Sequence, residues 1–129
     1  MKEQYIKINE HGNKLYYSDK EMTILHREDG PALEYADGSK YWYLNGELHR
    51  EDGPAVERAN GSKFWWLKGK RHREDGPAVE WWDGDNFWFL NGIKYSEAQF
   101  NKKMKNSKKI IINGKEFTVE QLNDLIAKA

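Results

Sequence analysis

The sequence predicts a mainly β protein: an antiparallel meander of 23-residue β-hairpin repeats ending in a small C-terminal α-helical cap. Three observations carry this reading. The stretch His-Arg-Glu-Asp-Gly-Pro-Ala begins at His26, again at His49 and again at His72, a strict spacing of 23 residues. Each copy is followed by the same series: a short apolar and acidic run, Asp-Gly or Asn-Gly, an aromatic cluster centred on Trp, Leu, and then a Gly turn. Near the end of the chain, Ser96 and Thr118 are each followed three residues later by Gln, the pattern of a helix-starting capping box. A fixed period means that each unit buries its apolar face against the next.

The elements follow in order. Ala32-Leu33-Glu34-Tyr35 alternates as a strand, and Asp37-Gly38 is expected to close a two-residue type I′ hairpin. Residues 40–44, Lys-Tyr-Trp-Tyr-Leu, form a second strand, rich in rings that favour a pleated surface. Asn45-Gly46 turns the chain again, and Asp52-Gly53-Pro54 makes a third turn, with the donor-less Pro54 at a strand start or edge. Alternation puts Trp42, Trp65 and Trp88 on one face with Leu44, Leu67 and Leu90, the expected core. Tyr41, Phe64 and Phe87, then Tyr43, Trp66 and Phe89, fall on the other. A weakened copy, His11 to Tyr17, precedes the array as a terminal cap would. Helices are expected at about residues 97–106 and 119–128, with Phe100 and Met104 on one face of the first and Leu122, Leu125 and Ile126 on one face of the second. Lys109 to Ile112 forms a strand entering the Asn113-Gly114 turn. The predicted organisation is an array over 1–95 (degenerate unit 9–25, repeats 26–48, 49–71 and 72–94) and a helix–hairpin–helix cap over 96–129 that covers the last repeat edge.

Composition narrows the function classes. Hydrophobic residues make up only 38% of the 129, yet 14% are aromatic, with six Trp and seven Tyr, so a few large rings must supply most of the buried area. Acidic and basic residues balance at 21 each, which argues against steering of long nucleic acid by net charge. Locally the balance is uneven. Residues 1–93 carry a net −4, from 13 Lys and Arg against 17 Asp and Glu, and residues 94–117 a net +5, from seven Lys against two Glu. The basic stretch reads as a solvated face or an anion-contact surface. Cys is absent, which removes disulfides, thiolate metal sites and a Cys nucleophile. No apolar run approaches the roughly 20 residues of a membrane span, and the N-terminal residues lack a signal-peptide core. A cytoplasmic location, the host cell's if the chain is phage-encoded, is expected.

The His-Arg-Glu-Asp copies invite two readings. In one they are structural: Arg27 pairs with Glu34 or Glu28, Asp29 opens the turn and His26 satisfies a backbone group. In the other, His26/Arg27, His49/Arg50 and His72/Arg73, joined by Lys70 and Arg71, form a basic row that grips phosphate, Arg being the better bidentate partner. A metal site from His26, His49 and His72 is weaker, since no other residues have ligand spacing. A repeat keeps what stacking needs and varies what function uses. The variable positions are Tyr35/Arg58/Trp81, Ala36/Ala59/Trp82 and Tyr43/Trp66/Phe89. Trp81-Trp82, set beside Asp83-Gly84, would put a ring on each side of the last strand, as packing against the helices, an anchor for a protein partner or a stacking platform for a base. The candidate binding residues are therefore Arg27, His49, Arg50, His72, Arg73, Tyr43, Trp66, Trp81 and Trp82. No glycine-rich phosphate loop, nucleophile elbow or zinc-protease motif occurs, so catalysis, cofactor and metal are not expected.

The unit Gly-Pro-Ala-x-Glu-x-x-(Asp/Asn)-Gly-x-x-(aromatic)-Trp-x-Leu-x-Gly resembles the MORN repeat and its bacterial variants over about residues 9–100. With its terminal Asn-Gly-x-x-(Tyr/Phe)-(Ser/Thr) helix, it is similar to a group of phage-encoded repeat proteins. The resemblance implies arrays of β-hairpins and scaffolding, lipid-proximal or antitoxin-like binding roles. The His-Arg-Glu-Asp stretch departs from the ordinary MORN pattern, which argues against lipid association. The expected function is a non-catalytic phage-type binding protein that counters a bacterial defence system, by blocking a host protein or sequestering a small nucleotide signal. The alternative is a structural or assembly repeat module, or an antitoxin-like protein-interaction module. Exposed edges and two apolar faces predict a homo-oligomer.

Overall fold

A computed structural model describes residues 3–128 and divides them into two compact units, one ending at Lys94 and the other beginning at Tyr95. The predicted class is the observed one: mainly β, an antiparallel meander in one long sheet, with two short helices near the end. Among the described residues, no helix is long and apolar enough to cross a membrane.

The first unit opens with β1 (Tyr5–Ile8) and β2 (Lys14–Tyr17). The three full copies then contribute β3 (Leu33–Glu34) with β4 (Lys40–Tyr41), β7 (Val56–Glu57) with β8 (Lys63–Phe64), and β11 (Val79–Glu80) with β12 (Asn86–Leu90). Together with β13 (Ile93–Tyr95) these build a nine-stranded sheet in the order β1-β2-β3-β4-β7-β8-β11-β12-β13. Two further hairpins stand outside it: β5 (Tyr43–Leu44) with β6 (Glu47–Leu48), and β9 (Trp66–Leu67) with β10 (Lys70–Arg71).

These hairpins correct the expectation of one aromatic strand over 40–44. The strand breaks at Trp42, and likewise at Trp65. The N–H of Trp42 donates to Ala55 O of the next copy at 2.7 Å, while its carbonyl accepts from His49 N at 3.0 Å. The chain thereby leaves the long sheet and enters a second row. That row is stitched from copy to copy as well: Gly46 N donates to Leu25 O, Gly69 N to Leu48 O and Gly92 N to Arg71 O.

The break also relocates the core. Trp42, Trp65 and Trp88 are only half-buried, as are Leu44 and Leu67, whereas Leu90 is buried. The central cluster is Val56, Phe64 and Val79, with Tyr41, Leu48, Trp66, Phe87 and Phe89 packed on it. The rings that meet this cluster, Tyr41, Phe64, Phe87, Trp66 and Phe89, all belong to the face assigned opposite the tryptophans, so the expected core face is the wrong one of the two apolar faces. The alanines of Gly-Pro-Ala, Ala32, Ala55 and Ala78, are completely buried. No larger side chain fits where each copy stacks on the next.

The other face of the long sheet carries charge. Cross-strand pairs run Lys14–Glu34–Lys40–Glu57–Lys63–Glu80 and end at Asn86. Opposite charges facing each other across neighbouring strands stabilise a sheet.

Turn chemistry splits into two kinds. At Asn45-Gly46, Lys68-Gly69, Asn91-Gly92 and Asn113-Gly114 both residues have positive φ, as a type I′ turn requires. Asp37-Gly38 is not of this kind. Only Gly38 is left-handed, Gly38 N donates to Tyr35 O, and Tyr35 N donates to Ser39 O. This is a three-residue loop, and Asp37 serves it differently, its carboxylate accepting from Ser39 N at 2.8 Å.

In the second unit, α1 (Glu97–Ser107) and α2 (Val119–Ala127) flank the hairpin of β14 (Lys109–Ile112) and β15 (Lys115–Thr118). Both expected capping boxes are present, Ser96 with Gln99 and Thr118 with Gln121. Phe100 is buried and Met104 and Leu122 half-buried, but Leu125 and Ile126 lie exposed.

Candidate functional site

The triplicated motif forms one unit of structure used three times. The guanidinium carbon of Arg50 lies 3.9 Å from the centre of the Trp42 ring, that of Arg73 lies 3.8 Å from Trp65, and that of Arg27 lies 4.0 Å from Tyr16, which takes the Trp position in the degenerate unit. On its other side each guanidinium rests on a glycine of its own turn. A Cβ built on Gly30, Gly53 or Gly76 would stand 2.9, 3.1 or 2.9 Å from the Arg Cζ. These glycines have no left-handed φ, so close approach of the arginine is what requires them.

The polar ends are engaged too. Arg50 Nε donates to Asp52 at 3.0 Å, and Nη1 donates to Pro54 O at 3.0 Å and to Glu57 at 3.3 Å. Arg73 repeats this with Asp75, Pro77 O and Glu80. Arg27 does so with Asp29 and Pro31 O, and lies 3.8 Å from Glu34. The Arg27 guanidinium beside Asp29 holds that carboxyl below its ordinary range, by hydrogen bonding first and charge second.

His26, His49 and His72 each accept a backbone N–H at Nδ1, from Asn45, Lys68 and Asn91, at 2.9, 2.9 and 3.0 Å. The proton of each neutral ring therefore sits on Nε2, facing Glu28, Glu51 or Glu74 at 3.6, 3.6 and 3.9 Å. Among the described residues, no group of three or more His, Cys, Asp or Glu is placed to hold a metal ion.

Clefts of about 700 and 650 Å³ separate successive copies. The first is lined by Trp42, His49, Arg50 and the carboxylates of Glu28, Asp29, Glu51 and Asp52. Each arginine here faces two carboxylates of its own copy, so the clefts present acid to solvent.

The variable positions divide. Tyr43 is half-buried, and burial, followed by the neighbouring Tyr35 and Tyr41, raises its phenol above the ordinary range. Trp66 packs on the core, with Arg71 5.4 Å from its ring. Trp81 and Trp82 precede β12 in the tight turn instead of flanking the strand: Trp81 N donates to Asp85 O and Gly84 N to Trp81 O. Trp81 is 36% exposed and meets Phe64 edge-on, with ring centres 4.9 Å apart. Trp82, where the other copies have Ala36 and Ala59, is 67% exposed. Its backbone is fixed by Ser62 Oγ, which accepts Trp82 N–H at 2.9 Å, as Ser39 Oγ accepts from Ala59.

Sequence reasoning missed three features: the glycine seat beneath each arginine, the buried Ser39 and Ser62 stitches, and the charge ladder. The ladder had a visible signal, since Lys40 and Lys63, and Glu34, Glu57 and Glu80, recur at the repeat period. Compared with protein families, curated proteins and solved structures, the chain matches none.

Proposed function

We propose that this chain is a non-catalytic binding module whose repeat array presents the Trp81-Trp82 turn to a protein partner. The observation that carries this reading is Trp82, a large ring 67% exposed on a turn whose backbone is pinned by Ser62. A rigid aromatic projecting from a fixed turn is the kind of residue that dominates protein interfaces, because burying it costs little side-chain entropy. The other two full copies have alanine there, Ala36 and Ala59. The resemblance to phage-encoded repeat proteins makes a host defence protein the partner class to look for.

The protein-partner form is favoured over nucleotide sequestration by the state of the arginines. Arg27, Arg50 and Arg73 are sandwiched and paired with their own carboxylates. A phosphate entering the clefts would meet Glu51, Asp52, Glu74 and Asp75.

The test is affinity capture from bacterial lysate with the wild-type chain, Trp82→Ala and Trp66→Ala. A specific partner should be retained by the wild type and lost with Trp82→Ala, at unchanged melting temperature. Recovery of chaperones only, or equal capture by Trp82→Ala, overturns the reading. A nucleotide released from the purified protein on heating would favour the sequestration form instead.

A further inference from the structure

Strand β1 is the outer strand at one end of the nine-stranded sheet, and among the described residues nothing pairs with its free side. The register fixes which backbone groups point outward. Ile6 lies opposite Tyr16. Tyr16 uses both of its backbone groups on its far side, its N–H donating to Ala32 O at 2.7 Å and its carbonyl accepting from His26 N at 3.0 Å. Ile6 is therefore at a non-hydrogen-bonded position of the β1–β2 pair, and its own N–H and C=O face out. Alternation does the same for Ile8 and, carried one residue beyond the strand, for Gln4. Ile6 and Ile8 are also exposed isoleucines, at 47% and 67%. The strand has no proline and no bulge; its one guard against edge pairing besides its shortness is the charge of Lys7, which a facing carboxylate would neutralise.

We propose that β1 pairs antiparallel with β1 of a second copy of this chain, across a two-fold axis through Tyr5, to make one continuous sheet. Four registers keep the outward groups in phase and centre the axis on this strand. Centring on Ile8 sets Lys7 against Asn9 and leaves Glu3 without an opposite charge. Centring on Lys7 sets Lys7 against Lys7 of the other copy, which is repulsive. Centring on Ile6 sets Tyr5 against Lys7 and leaves Glu3 without an opposite charge. Centring on Tyr5 sets Glu3 of each copy against Lys7 of the other, so two ion pairs form, and the outward groups of Gln4 and Ile6 exchange hydrogen bonds. The isoleucine side chains of the two copies then neighbour each other diagonally on one face. The interface is isologous, as two-fold closure requires. It is independent of Trp82, which lies in the turn before β12.

Sedimentation equilibrium on the full chain over a micromolar concentration series tests this. The wild type should show a monomer–dimer equilibrium. Ile6→Pro removes the outward N–H without taking a hydrogen bond from the β1–β2 pair, though its ring also restrains the backbone, and it should abolish the dimer. Glu3→Lys and Lys7→Glu should each weaken it at least tenfold, while the double swap Glu3→Lys/Lys7→Glu restores it. Trp82→Ala should leave it unchanged, so this inference and the partner-binding reading fail separately. A wild type that stays monomeric, a dimer that survives Ile6→Pro, or a double swap that does not recover the dimer overturns the proposal. If circular dichroism shows Ile6→Pro unfolded, the three charge variants, all at exposed side chains, decide the matter.

Discussion

Arg50 lies between Gly53 beneath it and the Trp42 ring of the preceding copy, 3.9 Å from the ring centre. This sandwich joins one repeat to the next, and it assigns jobs to the Arg, Asp, Gly and Pro of the motif together. Arg50→Ala should cost about 2–3 kcal/mol, from the lost cation–π contact and the unpaired Glu57 and Pro54 carbonyl. That lowers Tm by roughly 3–6 °C per kcal/mol in a chain of this size. Arg50→Lys should recover less than half, because an ammonium cannot reach three acceptors in a planar fork. Gly53→Ala is the sharper probe. Its Cβ would stand 3.1 Å from Arg50 Cζ, so it should destabilise the wild type by about 1–2 kcal/mol yet be nearly neutral in Arg50→Ala. Thermal melts of the four proteins in this double-mutant cycle check the coupling.

The charge ladder makes a second prediction. Lys40 stands between Glu34 and Glu57 in adjacent strands. Lys40→Glu would set three acids in a row and should cost about 1 kcal/mol, with much of the loss recovered at 1 M salt. Asn86→Lys extends the ladder by one step beside Glu80 and should stabilise by a few tenths of a kcal/mol. Urea melts at low and high salt read both effects.

Lys68 occupies a place that its own repeat argues against. Its φ is 49°, where the equivalent Asn45 and Asn91 sit at 50°. Asn tolerates the left-handed region better than a long-chain residue does. Lys68→Asn should therefore raise stability by about 0.5–1 kcal/mol while keeping the hydrogen bond from its N–H to His49 Nδ1. His49→Ala removes a half-buried ring together with the acceptor of that exposed N–H, which water can replace, and should lower stability by about 1 kcal/mol. Chemical denaturation of the two variants beside the wild type measures both.

How much of this was legible in the sequence depends on the range of the interaction. The type I′ turns at Asn45-Gly46 and Asn91-Gly92, and the capping boxes at Ser96 and Thr118, are set within four residues, and they stand where the sequence puts them. The core face was not legible. Alternation over residues 40–44 separates two apolar faces but does not say which is core; that is decided by the next copy, whose Ala55, 13 positions away, accepts the Trp42 N–H. The motif's arginine was visible as a charged residue, yet its partner Trp42 belongs to the preceding unit and its seat is a glycine usually read as a turn former. At the candidate site the variable positions were visible as differences between copies. Which of them face solvent was not, because it depends on the placement of Trp66 in a strand packed on the core and of Trp82 in a tight turn.

Two carboxylates give a prediction with a definite sign in pH. Asp19 accepts from the Thr23 hydroxyl and from the backbone N–H groups of Thr23 and Ile24, closing the loop before the first full copy. The Thr23 hydroxyl is the largest cause holding its carboxyl below the ordinary value of 3.8, as the Arg27 guanidinium is for Asp29. A folded-state pKa below the unfolded one means the ionised form is preferred in the native chain. The stabilisation is then fully present above about pH 4 and is lost as the pH falls through the lowered folded value. Asp29 is exposed and Asp19 half-buried, and solvent screens both, so the effect is modest and shrinks with salt. Carboxylate chemical shifts followed by NMR should place both midpoints below 3.8. In Thr23→Val the Asp19 midpoint should rise toward its ordinary value while Asp29 stays low, and in Arg27→Gln the reverse should hold. The stability gap between Thr23→Val and the wild type should accordingly be wider at pH 6 than at pH 2.5. An equal gap at the two pH values would mean that Thr23 acts through packing and not through the Asp19 carboxylate.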